Sequence, residues 1–214
     1  MVDTQLRAPG ANRALWLSTL AFTACFAVWT IFSIIGVQIK QELGLNEAEF
    51  GLLVGTPILT GSLIRVFLGV WSDQLGGRII NVVVMLLAAA ATFLLSYAQT
   101  YPQFLAAALG VGIAGGAFAV GVAYVVKFFP VSQQGTALGV FGSGNVGAAV
   151  TKFAAPFVML AFGWEAVAQI WAVVLAGLAV VFLLFTRDDP QTEARRHSGQ
   201  KPPPTWIQLA PLRD

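Results

Sequence analysis

Gly69-Val70-Trp71-Ser72-Asp73-Gln74-Leu75-Gly76-Gly77-Arg78 separates two long apolar runs, Phe50–Trp71 before it and Ile79–Ala98 after it. An acid, a glycine pair and an arginine fall within these ten residues, a length that leaves room only for a tight turn. Each run supplies the roughly 20 apolar residues that a helix needs to cross a bilayer core about 30 Å thick. The stretch therefore reads as the turn of an antiparallel pair of membrane helices. Asp73 and Arg78 are placed in it for ion-pair and helix-end contacts, where helices slide or rock. A plain tight turn, whose arginine follows the bias of basic residues toward one side of a membrane, explains Arg78 as well.

Four more windows of the same kind occur, Ala14–Ile39, Phe104–Val126, Gly135–Ala161 and Ala166–Thr186, which makes six spans. Composition agrees. The 214 residues are 57% hydrophobic and 10% charged, against about 25% charged in soluble domains, and the mean hydropathy is +0.77. The expected fold class is all-α integral membrane, with a short N-terminal segment (1–13), a six-helix bundle (14–186) and a polar C-terminal segment (187–214). The first window is too long for the 7–15-residue apolar core of a signal peptide. Thr23-Ala24-Cys25 faintly resembles a lipoprotein cleavage site, but apolar sequence continues well beyond it, so the window reads as a retained helix.

Basic residues are kept on the cytoplasmic side. With the N-terminus inside, the inner segments hold Arg7, Arg13, Arg78, Lys127, Arg187, Arg195, Arg196, Lys201 and Arg213, while the outer loops hold only Lys40 beside Glu42, Glu47, Glu49 and Glu165. An even number of crossings returns the C-terminus to the same side, so both termini are expected in the cytoplasm. From Arg187 the chain turns polar, with Pro202-Pro203-Pro204, and reads as a flexible loop or linker. At Trp206-Ile207-Gln208-Leu209 apolar order resumes just before Asp214, so the sequence reads as interrupted.

Several chemistries are disfavoured. Cys25 is the only cysteine and His197 the only histidine, so no disulfide and no metal cluster is expected. No span offers paired carboxylates or a nucleophile with its base, so neither an enzyme nor a bound cofactor is expected, and no catalytic residue is assigned. The formal charge of +2 contains no like-charge run that would point to nucleic acid. The expected surroundings are a lipid bilayer.

Two basic residues remain inside spans, Arg65 and Lys152. Arg65 precedes Asp73 by eight residues, about 12 Å of helix, which places it near the membrane midplane. A charge there costs at least about 2.5–3.5 kcal/mol, so it should face a bundle interior or an aqueous cavity. With no acid in any span to pair with it, its planar fork fits a planar oxyanion held by two parallel N–H to O contacts. The alternative is a structural arginine bonded to backbone carbonyls. In the fifth window, Gly135, Gly139 and Gly142 recur at i, i+4 and i+7, a smooth stripe where another helix backbone can approach closely. Asn145 lies about 15 Å into the same helix, near the depth of Arg65. As a buried amide it must bond a neighbouring helix or a ligand oxygen. Lys152 shares its helix face and fits either a proton carrier or a cationic guide for an entering anion, with snorkelling to the outer interface as the alternative.

The Gly69–Arg78 turn resembles the G-x-L-x-D-R-x-G-R-R motif of the major facilitator superfamily, with Gly69, Asp73, Gly76 and Arg78 in place, Trp71 for the usual Leu and Gln74 for the first basic residue. The Gly135–Ala149 string is similar to the nitrate/nitrite porter signature G-x-x-x-G-x-x-G-x-G-N-x-G. Ala114-Gly115-Gly116-Ala117-Phe118-Ala119, Phe128-Phe129-Pro130 and Gln133-Gln134-Gly135 are similar to that family's fourth helix and the loop that follows it. The resemblance implies the N-terminal six-helix half of a twelve-helix transporter in a bacterial inner membrane, working by alternating access of two bundles about a midplane site. It implies nitrate or nitrite as substrate, and Lys152, on the face of Asn145, makes protons a candidate coupling ion. Arg65 would be the substrate arginine, Asn145 the amide beside the anion, Gly144 its neighbour in the site and Phe118 a pocket wall. For Phe118, a plain core aromatic is an equal alternative. The second substrate arginine would belong to a C-terminal bundle, which these residues do not contain. Other readings are a carrier for another small anion or organic solute, with Asn145 incidental, and a six-helix subunit that pairs with itself or a separate half.

Overall fold

The computed structural model describes residues 7–198. Among them six helical spans are long and apolar enough to cross a membrane: Ala11–Leu43, Glu47–Leu75, Gly77–Leu95, Tyr101–Phe128, Val131–Phe162 and Trp164–Phe185. No strand occurs among the described residues. Each span covers nearly all of one of the six windows expected from hydropathy, and spans 3 and 6 end three residues and one residue before their windows do.

The ends are fixed locally. Span 2 begins with a reciprocal cap, in which the Asn46 side chain accepts from the Glu49 amide (3.0 Å) and the Glu49 carboxylate accepts from the Asn46 amide (2.9 Å). It ends at Gly76, whose φ of 100° is the sharp reversal into span 3. Two features were not visible in the sequence. Span 1 is broken at Thr30 and Ile31, so it is two stacked helices, Ala11–Trp29 and Phe32–Leu43. Spans 4 and 5 each tighten into a 3₁₀ turn near mid-length, Ile113–Gly116 and Ser143–Val146.

Span 3 packs extensively on both span 4 and span 6, while span 1 runs through the middle against spans 4, 5 and 6. In their most apolar windows half of spans 1, 3 and 4 is buried, but only 28% of span 2 and 17% of span 5. Spans 2 and 5 therefore border the open side of the bundle.

The reading of the chain after Arg187 as a flexible loop is corrected. Pro190–Ser198 is a helix. Asp189 caps it, accepting from the Thr192 amide (3.0 Å) and the Thr192 hydroxyl (2.7 Å), with Pro190 following at the first helical position. Arg195 and Arg196 then donate to the Asp73 and Leu75 carbonyls, two of the orphan acceptors at the C-terminal end of span 2. Pro202–Pro204, Trp206–Leu209 and the segment to Asp214 lie outside the described residues.

Candidate anion site

Arg65 is half-buried on span 2. Its Nε donates to the Gly115 carbonyl of span 4 at 2.9 Å, and its guanidinium carbon lies 5.2 Å from the ring centre of Trp29. Trp29 is held from below: its indole N–H donates to the Pro57 carbonyl at 2.8 Å. A Cβ added to Gly61 or Gly115 would come within 2.8 Å of that indole, so only glycine lets spans 2 and 4 close on both sides of it. The arginine therefore rests on an aromatic face with one nitrogen anchored. Among the described residues no carboxylate pairs with it and no hydrogen bond reaches Nη1 or Nη2. The two nitrogens of the fork stay available, and the backbone-bonded alternative accounts only for Nε.

From Trp29 an aromatic ridge crosses the bundle. Trp29 and Phe26 are 5.3 Å apart between ring centres, Phe26 and Phe22 5.5 Å, and Phe22 then meets Phe118 at 5.4 Å and Phe141 at 5.0 Å. Phe118 is 38% exposed and 5.9 Å from Phe141, so it belongs to the ridge and also faces open space.

Asn145 lies past the far end of the ridge, on the 3₁₀ turn of span 5. The expectation of a buried amide is corrected: Asn145 is exposed in this bundle, and its side-chain N–H donates within its own turn to the Gly142 carbonyl at 2.9 Å. A local bond to the backbone three residues earlier satisfies one donor and leaves the second side-chain N–H without a partner among the described residues. Gly144, expected beside the anion, is buried instead. A Cβ there would lie 2.5 Å from the Phe22 ring and 3.1 Å from the Thr19 carbonyl, so this glycine packs span 5 on span 1. No direct contact joins Arg65 to Asn145 among the described residues. Lys152 is exposed on span 5, with no hydrogen bond or ion pair among the described residues.

The turn between spans 2 and 3 makes both kinds of contact. Asp73 makes its ion pair with Lys127 (2.8 Å), which also approaches Asp189 at 3.8 Å. Lys127 is almost fully buried at the end of span 4, so it draws both acids toward it. Arg78 does make the expected helix-end contact, donating to the Leu183 carbonyl in the last turn of span 6. Gly76 provides the reversal, while Gly69 faces open space. The sequence reading missed Trp29 and Lys127. Trp29 gives no signal in an apolar run, but Lys127 at a helix end opposite Asp73 was legible.

The model of the Major Facilitator Superfamily matches residues 17–213. Among curated relatives, the chain is 38% identical over 96% of its length to a protein of Thermus thermophilus named "Probable nitrate/nitrite antiporter NarK1", of which it covers 48%. It is 34% identical over 80% of its length to the "Nitrite extrusion protein" of Bacillus subtilis (strain 168), covering 43% of it. To the "Probable nitrate transporter NarT" of Staphylococcus carnosus (strain TM300) it is 30% identical over 84%, covering 46%. The chain thus spans about half the length of the curated relatives it matches. In three dimensions it resembles a bacterial homologue of the lysosomal transporter Spinster in an inward-facing, unoccupied conformation (TM-score 0.74, 19% identity, 92% of this chain and 46% of the other). A second likeness is to the xylose transporter XylE of E. coli, inward open, with a TM-score of 0.55, 18% identity, and 84% and 48% covered. At such identities these two likenesses bear on the fold alone.

Proposed function

We propose that this chain, which belongs to the Major Facilitator Superfamily, supplies one six-helix bundle of a multi-pass transporter that carries nitrate or nitrite across a bacterial inner membrane by alternating access. The observation that carries the reading is Arg65. It is a half-buried guanidinium within a membrane-spanning helix, seated on Trp29 and anchored through Nε, with its fork unpaired. Nitrate and nitrite are small planar oxyanions that accept two parallel N–H bonds from such a fork. The relatives carry nitrate or nitrite in their names, which supports the same substrate class here.

In this reading Phe118 and the ridge keep water off one side of the anion, and the second side-chain N–H of exposed Asn145, which the bond to Gly142 does not use, donates to an anion oxygen in the space where a second six-helix bundle meets this one. Gly144 sets how closely Asn145 is held to span 1. Asp73, Gly76 and Arg78 form the hinge at the basic end, and both termini lie in the cytoplasm, as the clustering of basic residues there implies. Lys152, unpaired on the face of span 5, acts as a guide for the entering anion or as a proton carrier.

Uptake of nitrate into cells or proteoliposomes, by the complete transporter, tests this. Arg65→Lys replaces a fork by a point charge and is expected to lower uptake at least tenfold; uptake at the wild-type rate would remove Arg65 as the anion ligand. Nitrite and chlorate are expected to compete with nitrate. Indifference to nitrate would leave a carrier for another solute. Lys152→Gln decides the coupling role, since an unchanged pH dependence of uptake would exclude proton carriage by Lys152.

A further inference from the structure

At the basic end of the bundle, where span 1 begins beside the end of span 6, lies a cavity of about 190 Å³ lined by Arg13, Arg187, Phe128 and Phe185. Its electrostatics are unbalanced. Span 1 opens at Gly10 with no acid in its first turn, so the positive end of the helix dipole meets Arg13, a like charge. Arg13 and Arg187 are exposed and have no side-chain hydrogen bond or ion pair among the described residues. The nearby acids are engaged elsewhere: Asp188 pairs with Arg196, and Asp189 faces Lys127 and caps the terminal helix. Arg7, the next basic residue, is bonded to Gln133 and Asn12.

A second cavity, about 330 Å³ and almost wholly apolar, runs along the same seam deeper in the membrane, lined by Leu20, Ala24 and Ala27 of span 1 and by Trp171, Val174 and Leu178 of span 6. The helix periodicity connects the two. Leu20 follows Arg13 by two helical turns, and Phe185 follows Leu178 by the same interval, so charged pocket and apolar groove occupy one face of each helix. From Arg13 to Ala27 is about 21 Å of helix, enough to cross one leaflet of a core about 30 Å thick.

We propose that this seam is a binding site for an anionic phospholipid: the phosphate of the headgroup sits between Arg13 and Arg187 and an acyl chain lies in the groove below. A free phosphate would use the arginines but leave the groove unexplained. The lipid uses both, and it supplies the negative charge that the start of span 1 lacks. The site is separate from Arg65, so its failure would leave the transport reading untouched.

The test is native mass spectrometry of the delipidated protein in detergent, titrated with phosphatidylglycerol, with phosphatidylcholine of the same acyl chains, and with glycerol 3-phosphate. Phosphatidylglycerol is expected to bind at least tenfold more tightly than phosphatidylcholine. Arg13→Gln and Arg187→Gln should each weaken it about fivefold, and Lys40→Gln at the opposite end should leave it unchanged. Ala24→Trp, which fills the groove, should weaken it with both arginines present. Equal binding of the two lipids overturns the proposal, as does unchanged phosphatidylglycerol binding by the double variant. If glycerol 3-phosphate binds as tightly as the lipid, the site takes a soluble phosphate and the lipid assignment falls. Should the double variant not fold, the two single variants and the wild-type lipid comparison still decide.

Discussion

The two halves of span 5 use glycine in opposite ways. In the first half, Gly135, Gly139 and Gly142 have nothing within 4 Å of where a Cβ would stand. In the second, a Cβ on Gly144 would lie 2.5 Å from Phe22, and one on Gly147 would lie 2.0 Å from the Thr23 carbonyl. After Gly142 the helix tightens into the 3₁₀ turn of Ser143–Val146, which contains Gly144; this changes the angular step per residue and turns Gly144 and Gly147 onto span 1. The regular i, i+4, i+7 stripe was expected to be where a helix packs. In this bundle it is the face left open, and Gly144 within the turn and Gly147 just after it make the close contact. Span 2 repeats the division, with Gly51, Gly55 and Gly69 open and Gly61 against Trp29. A glycine pattern thus shows where a backbone can be approached without showing which neighbour approaches it.

The division can be broken by adding one methyl at a time. Gly147→Ala sets a Cβ against a backbone carbonyl that cannot rotate away, so it should destabilise the bundle by about 3 kcal/mol. Cys25, the only cysteine, is fully buried and gives the readout: the temperature at which a thiol-reactive dye gains access to it should fall sharply. Gly121→Ala meets the edge of the Phe141 ring at 2.3 Å; a ring can shift, so about 1–2 kcal/mol is expected. Gly139→Ala meets nothing and should raise stability by up to about 1 kcal/mol through helix propensity. Equal dye-access temperatures for the Gly147 and Gly139 variants would abolish the distinction between the two faces.

The six spans were legible because hydropathy over about 20 residues integrates over local error, and Arg65 was legible because a charge in such a run is expensive. Side-chain direction was not legible. Whether Asn145 is buried depends on the 3₁₀ turn that carries it, which a run of small residues does not announce. Asp73 could be placed for an ion pair, but spacing alone does not name its partner, because Lys127, which reaches it at 2.8 Å, is distant in sequence. The terminal helix was missed although Asp189-Pro190-Gln191-Thr192 carries a helix-start signal, an N-cap acid followed by proline. The polarity of that segment outweighed its capping pattern. Trp29, the platform under Arg65, could be recognised only once Gly61 and Gly115 closed on it.

The smallest expected effect asks what else holds the closed face together. Thr151, one turn beyond Gly147 and fully buried, donates its hydroxyl to the Ala27 carbonyl of span 1 at 2.7 Å and accepts from the Trp171 indole of span 6 at 2.9 Å. One side chain thus ties three spans by hydrogen bonds that water does not contest. Bonds of this kind between membrane helices contribute about 0.6 kcal/mol on average, because the separated helices find other partners in the membrane. Thr151→Val keeps the shape and removes both bonds, so it should lower stability by about 1 kcal/mol, less than Gly147→Ala. Combining it with Trp171→Phe should show a coupling near 0.6 kcal/mol in a double-mutant cycle. A Thr151→Val cost larger than that of Gly147→Ala would mean that the polar bond, and not the close fit of glycine to the Thr23 carbonyl, sets the distance between spans 1 and 5.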